Sequence, residues 1–343
     1  MATQIADPRA WSGQTVDERG RWYLPLAAEF VRDLTALVRR NLGERQTVTE
    51  LRLTREQREE WSEYVAPAVR DLEAGRGFVI LEPSRDGPWK SLSDREAVAA
   101  YWVIGQLLGE PFAQNVQGTL LYDVRDTGQD LSSGARFSVT NYESSFHTDN
   151  SFGDEILDYV GLLCLKTAKS GGISQNVSGI AVHRVLAQEH LDVLRILDQP
   201  MHVDRRGGFR EGESPTVLRP VFAREGEAPA EPNSARGSAG ASRSQDSGSL
   251  LVRYLRYWIE AGQEKAGQPL SAEQRRALDV LDGVLARPDL RVEFALEPGQ
   301  MYFINNRWIL HNRTAFVDHP EPERRRHLVR LWLKRRARAG GYG

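Results

Sequence analysis

A mainly β fold with flanking helices is what this sequence predicts, and three observations predict it. From about residue 111 onward, short apolar or alternating runs recur between glycine and polar turns: GTLLYDV, RFSVTNY, YVGLLCLKT, RVEFAL, MYFINN and HLVRLWL. That is the pattern of a β sandwich or barrel. Helical periodicity is concentrated before that point and returns only in two later stretches. With 343 residues, 40% of them hydrophobic, the chain can bury a sizeable core as one elaborated domain.

Taken in order, AAEFVRDLTALVRRNLG sets Phe30, Leu34, Leu37 and Val38 on one face and meets a stop at Gly43, so a helix is expected there. Thr54-x-x-Gln57 has the form of a capping box opening TREQREEWSEYV, and Pro67 is expected to kink or split the helix beyond that stretch. GFVILE (77–82) reads as a buried strand. Ser93-x-x-Glu96 is a second capping box; its helix carries Val98, Tyr101, Trp102 and Leu108 and stops at Gly109. Residues 1–75 are therefore read as a helical elaboration of the same domain, and 76–343 as its core. Within the core, one helix is expected near 179–197 with Ser178 as its cap, and another from the Ser271-x-x-Gln274 box to about 286. The stretch AREGEAPAEPNSARGSAGASRSQDSGS (223–249) has no large apolar residue, and is read as a disordered surface insertion between LRPVF and LLVRYLRYWI.

Composition narrows the function classes. Lys and Arg number 45 against 47 Asp and Glu, a net charge of -2, so nothing in the overall charge favours nucleic acid or an anionic membrane as partner. The basic tail KRRARAGGYG is read as solvated. The single cysteine, Cys164, rules out an intramolecular disulfide and sits in an apolar run, where a buried, inert thiol is expected. The amino terminus lacks a basic-then-apolar signal pattern and no apolar stretch approaches a membrane span, so a cytoplasmic protein is expected.

Chemistry is concentrated in NYESSFHTDNSF (141–152). On a strand, His147 and Asp149 would share a face about 6 to 7 Å apart, close enough to grip one ion, though a polar strand edge has the same pattern. A third ligand must come from the remaining histidines. His183 and His190 fall in a helix, His202 begins a strand, and His319 and His327 belong to the charged loop FVDHPEPERRRH. His311 differs, because it ends the apolar run MYFINNRWIL. Two histidines and one carboxylate form the facial triad of non-haem iron(II) oxygenases, which leaves three coordination positions open. The same donors plus water also describe catalytic zinc.

Four pieces in order, FHTDNSF, LLCLKTAKSGGIS, PGQMYFINNRWILHNRTAF and RRRHLVRLWL, carry a resemblance. The chain resembles the taurine dioxygenase-like iron(II)/2-oxoglutarate-dependent oxygenases, a family that includes the clavaminate synthase-like enzymes, over about residues 76–334 apart from the insertion. The resemblance implies a double-stranded β-helix (jelly roll) with His147, Asp149 and His311 as iron ligands. It also implies that Arg326 holds the far carboxylate of 2-oxoglutarate, for which a guanidinium fork is well matched. Ser174 stands where the family usually has threonine in a Gly-Gly-x-Thr pattern, and keeps a hydroxyl for the same carboxylate. The implied reaction couples decarboxylation of 2-oxoglutarate to oxidation of an unactivated C–H bond. Hydroxylation is expected, with desaturation and ring closure left open; halogenation is disfavoured, because Asp149 occupies the position it would need for chloride. A non-catalytic 2-oxoglutarate sensor and a zinc hydrolase on the same triad are the alternatives.

Arg330 lies between Leu328-Val329 and Leu331-Trp332-Leu333, a strand that reads as buried on both faces, so its charge needs an anionic partner. Arg326 and Arg330 would share a strand face about 13 Å apart, which suits two anions better than one. Arg330 is accordingly read as binding an acidic group on a small-molecule substrate, with an internal carboxylate as the alternative.

Overall fold

Early and late strands interleave in the main sheet. Met301–Asn305 lies between Phe78–Glu82 and Tyr159–Lys166, and the last strand, His327–Lys334, lies on the other side of Tyr159–Lys166. Tyr23–Pro25, Glu110–Phe112 and Leu121–Val124 complete its seven strands; only the pairing of Tyr23–Pro25 with Phe78–Glu82 is parallel. A three-stranded antiparallel sheet has Ser174–Ser178 at its centre, flanked by Arg291–Phe294 and Ile309–Arg313. The arrangement is the expected jelly roll with helices around it. The computed structural model describes residues 7–16, 22–43, 47–84, 86–129, 137–209, 211–225 and 249–336.

Strand alternation assigns the main sheet's two faces to different partners. Val329, Leu331 and Leu333 join Val79, Leu81, Met301 and Phe303 in a core with the first three helices. These are α1 (Ala28–Leu42), α2 (Arg55–Ala74) and α3 (Asp94–Leu108). Leu328 and Trp332 instead join Phe78, Ile80, Tyr302 and Ile304 in the interior of the roll. Arg330 shares that parity, so the last strand aims a cation into the roll.

The capping boxes form at Thr54 and Ser93, with both reciprocal bonds present in each. Pro67 does not split α2, which continues to Ala74. Proline removes one backbone bond there, but Trp61 and Val65 before it and Ala68 and Leu72 after it form one buried face that holds the helix together.

Beyond the sheet, the expected helix over 179–197 is two, α4 (Gly179–Glu189) and α5 (Leu191–Leu197), broken at His190 (φ -143, ψ 52). Ser178 caps the first, accepting from the Ala181 N–H at 3.2 Å. A helix not expected from sequence, α6 (Arg256–Lys265), follows, and the Ser271 box opens α7 (Ala272–Leu285) as expected. Of the stretch expected to be disordered, 226–248 lies outside the described residues. Its flanks meet in an antiparallel ladder, Phe222 opposite Val252 and Arg224 opposite Leu250. No helix among the described residues is long and apolar enough to cross a membrane.

Candidate active site

His311 is on an edge strand of the smaller sheet, opposite Asn176. His147 joins it through an isolated antiparallel bridge, with N–H to carbonyl distances of 3.0 and 2.9 Å in the two directions. That bridge sets the imidazoles side by side, with ring centroids 4.3 Å apart. The segment is not a regular strand beyond His147. Thr148 is fixed by its N–H to the Tyr254 carbonyl (2.9 Å), and the chain then turns at Asn150, a non-glycine residue with φ 54. The turn brings Asp149 Oδ1 to 3.5 Å from His147 Nε2 and 4.0 Å from His311 Nε2. One ligand atom from each residue therefore lies within 4.8 Å of the others.

Asn306 holds the turn from beneath. Its side chain accepts the Asp149 N–H at 2.8 Å and donates to the carbonyls of Asp149 (2.9 Å) and Leu157 (3.2 Å). In the sequence, nothing separates Asn306 from the other asparagines near the motifs. Asn306→Ala would leave both backbone groups of Asp149 without these partners in the interior. We expect it to lower the unfolding free energy by about 2 to 4 kcal/mol, measured as a shift of the denaturant midpoint.

The protonation states suit a divalent cation. His147 Nδ1 lies 2.8 Å from the Ser145 carbonyl, so Nδ1 carries the proton and Nε2 presents its lone pair. Burial pushes His311 down to about 3, so its ring is neutral. Burial alone would raise Asp149, but the Arg330 guanidinium beside it holds it well below the usual carboxylate range. Its Oδ2 accepts from Arg330 Nη1 (3.0 Å) and Trp332 Nε1 (2.8 Å), both from the last strand of the main sheet. Oδ1 is left to face the imidazoles. Two imidazole nitrogens and one carboxylate oxygen are the donor set that iron(II) takes in facial sites, so these residues fit the metal.

Arg330 thus has the internal carboxylate partner that the sequence left as its alternative, while its Nε donates to Gln114 Oε1 at 2.8 Å. It still lines the cavity in front of the triad, together with Arg326 and Ser174. The Arg326 backbone N–H is bound by Asp318 at 2.7 Å, whereas its guanidinium lies over the Phe316 ring at 5.1 Å. No carboxylate among the described residues forms an ion pair with it, and burial depresses it to about 10. Gly172, at positive φ (68), makes room for it, while Gly171 (φ 74) lies instead against the backbone of Ala315 and Phe316. A Cβ on Gly172 would lie 3.3 Å from Arg326 Nε. Arg313, two residues after His311 in the piece PGQMYFINNRWILHNRTAF but given no role from the sequence, occupies a second position over Phe316 at 4.7 Å. It donates to the carbonyls of Thr140 (3.3 Å), Phe137 (3.4 Å) and Tyr142, tying down the chain beside the cavity. Cys164 takes no part: burial pushes its thiol up to about 12.

Known proteins agree with this architecture. The chain is 28% identical to FR-33289 synthase of Streptomyces rubellomurinus over 328 residues, covering 94% of this chain and 88% of that protein. Among solved structures, an asparagine oxygenase with Fe(II), 2S,3S-3-hydroxyasparagine and succinate superposes with a TM-score of 0.61 at 19% identity, covering 91% of this chain and 93% of that one. The non-haem iron oxygenase OrfP, in complex with Fe and alpha-ketoglutaric acid, gives 0.61 at 16% identity, with coverage of 91% and 93%. A family model, the taurine catabolism dioxygenase TauD, TfdA family, matches residues 40–332, reaching further toward the amino terminus than the motifs do. The chain belongs to the TauD, TfdA family of dioxygenases and is an iron(II)- and 2-oxoglutarate-dependent oxygenase.

Proposed function

We propose that this oxygenase hydroxylates an unactivated C–H bond of a small, anionic, amino acid-like molecule. His147, Asp149 and His311 hold iron(II), and Arg326 with Ser174 receives the far carboxylate of 2-oxoglutarate. The observation that carries the substrate's charge is the lining of the cavity. Arg206, Arg313, Arg326 and Arg330 face it, with Asp149 as the one carboxylate among the described residues. A divalent metal and a dianionic cosubstrate add no net charge between them, so the excess of positive charge persists in the loaded site and favours an anionic third component. An amino acid-like substrate is consistent with the relatives: the asparagine oxygenase was crystallised with hydroxyasparagine and OrfP with L-Arg.

When bound, the metal would supply the dioxygen-dependent oxidative decarboxylation of 2-oxoglutarate to succinate and carbon dioxide, coupled to oxidation of the substrate by the second oxygen atom. The chain's own residues bind and orient. Arg326 meets a carboxylate that compensates its buried charge. Arg330 keeps Asp149 Oδ2 occupied through Nη1 and presents the rest of its guanidinium to the substrate's anionic group. Phe152, Leu255, Trp258 and Tyr302 supply apolar and aromatic wall, which excludes water from the reacting carbon.

The test is succinate release with iron(II) and 2-oxoglutarate against a panel of amino acids and small acids, in which at least one anion should stimulate turnover well above the substrate-free rate. Arg330→Leu should leave 2-oxoglutarate binding within a few-fold of the unaltered protein, but abolish that stimulation. Equal weakening of cosubstrate binding by Arg330→Leu and Arg326→Leu would contradict the division of labour between them.

A further inference from the structure

Only two non-glycine residues among those described have positive φ, and both line or adjoin the cavity: Asn150, in the ligand turn, and Arg206 (φ 52). Asparagine tolerates the left-handed region; an arginine there is uncommon, and such strain concentrates at functional positions. Arg206 sits in the loop joining Met201–Asp204 to Thr216–Arg219. Its backbone N–H is held by Asp204 Oδ1 at 2.9 Å, and Lys265 Nζ of α6 binds the same oxygen at 2.9 Å.

That loop is fastened to the catalytic turn on one side and to α6 on the other. Asp154, five residues after the iron ligand Asp149, bridges Arg205 (2.8 Å) at the start of the loop and Arg219 (2.6 Å) at the far end of the strand that follows it. A Cβ on Gly208 would lie 3.2 Å from Phe152 Cε2, so the loop rests on that ring, and Phe152 in turn packs edge-on against Trp258 with centroids 5.1 Å apart. Against α6 the approach is closer still: a Cβ on Gly262 would fall 2.6 Å from Asp204 N and His202 O. The first turn of the same helix places Tyr257 under the guanidinium of Arg206, 5.8 Å from Cζ to ring centroid. Nη1 of Arg206 also lies 3.9 Å from Oδ2 of the buried Asp204, so Arg206 is mounted on a braced scaffold, with one edge of the guanidinium turned to that carboxylate while the residue lines the cavity.

We infer that Arg206 reads a second anionic group on the substrate, so that the preferred substrate is a small molecule with two anionic ends. One end faces Arg330 and the other Arg206, with the apolar middle against Phe152 and Trp258. This deepens the substrate reading above and rests on it. A preorganised guanidinium on an aromatic ring loses little freedom on binding, which makes it a strong discriminator between a carboxylate and its uncharged amide.

The test compares matched pairs, aspartate with asparagine and glutamate with glutamine, by isothermal titration into the anaerobic iron(II)–2-oxoglutarate complex. The acid of at least one pair should bind tenfold or more tighter than its amide, the usual size of one charge-assisted contact. Arg206→Asn keeps a residue suited to the left-handed backbone and removes the cation. It should bring the ratio to within about twofold with an unchanged cosubstrate titration and at most a small fall in thermal midpoint, since Lys265 still binds Asp204, and Arg206→Lys should restore part of the preference. Absence of any acid preference, its survival in Arg206→Asn, or a marked loss of thermal stability in that variant would overturn the inference. The visible band formed by 2-oxoglutarate on iron(II) in the same samples reports on the oxygenase site separately, so failure of one reading is distinguishable from failure of the other.

Discussion

Asp149→Ala should abolish iron(II)-dependent succinate formation and also lower the unfolding free energy of the metal-free protein by about 2 to 4 kcal/mol. The first effect comes from losing a ligand. The second comes from the role of the carboxylate without metal: it is buried, and its Oδ2 accepts from Arg330 Nη1 and Trp332 Nε1. Removing it leaves a cation and an indole N–H without that partner inside the roll, and breaking one side of a buried pair costs several kcal/mol. The figure is reduced because Arg330 keeps its bond to Gln114 and 14% of its side-chain exposure. His147→Ala removes a ligand without stranding a charge, so it should match the activity loss with a smaller stability loss. Equal denaturant midpoints for Asp149→Ala and the unaltered protein would show that the Arg330–Asp149 pair adds nothing net.

Arg326→Leu should raise the 2-oxoglutarate concentration needed for half-saturation by roughly thirtyfold to several thousandfold, the range for truncating one member of a buried charge pair. Its effect on the apoprotein should have the opposite sign to that of Asp149→Ala. The Arg326 guanidinium is depressed by burial and has only the Phe316 ring beneath it, so replacing it with leucine removes a desolvated charge. The apoprotein's denaturant midpoint should therefore hold or rise. A large fall in stability with unchanged cosubstrate affinity would make Arg326 a structural residue.

The two arginines also show where sequence reading ends. His147, Asp149 and His311 can be singled out because spacing of two and a histidine closing an apolar run are local signals. Their convergence depends on things no local pattern contains: a bridge between residues 147 and 311, a left-handed Asn150 and the clamp of Asn306, 157 residues from Asp149. The partner of Arg330 is 181 residues away, so the sequence can demand an anion without choosing between substrate and Asp149. Capping boxes are legible because each is closed within four residues, and all three form. The opening of α6 has no side-chain cap, and Arg256 is instead held by Glu260, Asp279 and Asp282, two of them on α7, so tertiary ion pairs rather than a local signal mark it. Pro67 reads as a break on propensity alone, and packing of the helix's buried face overrides it.

The most direct measurement is an anaerobic titration of the protein with iron(II) and 2-oxoglutarate, following the weak visible charge-transfer band of a metal-chelated 2-oxo acid. The band should develop and saturate in the unaltered protein, and His147→Ala, Asp149→Ala and His311→Ala should each lose it together with iron(II) affinity. A band of normal intensity and iron affinity in all three variants would contradict the assignment of these residues as the metal site.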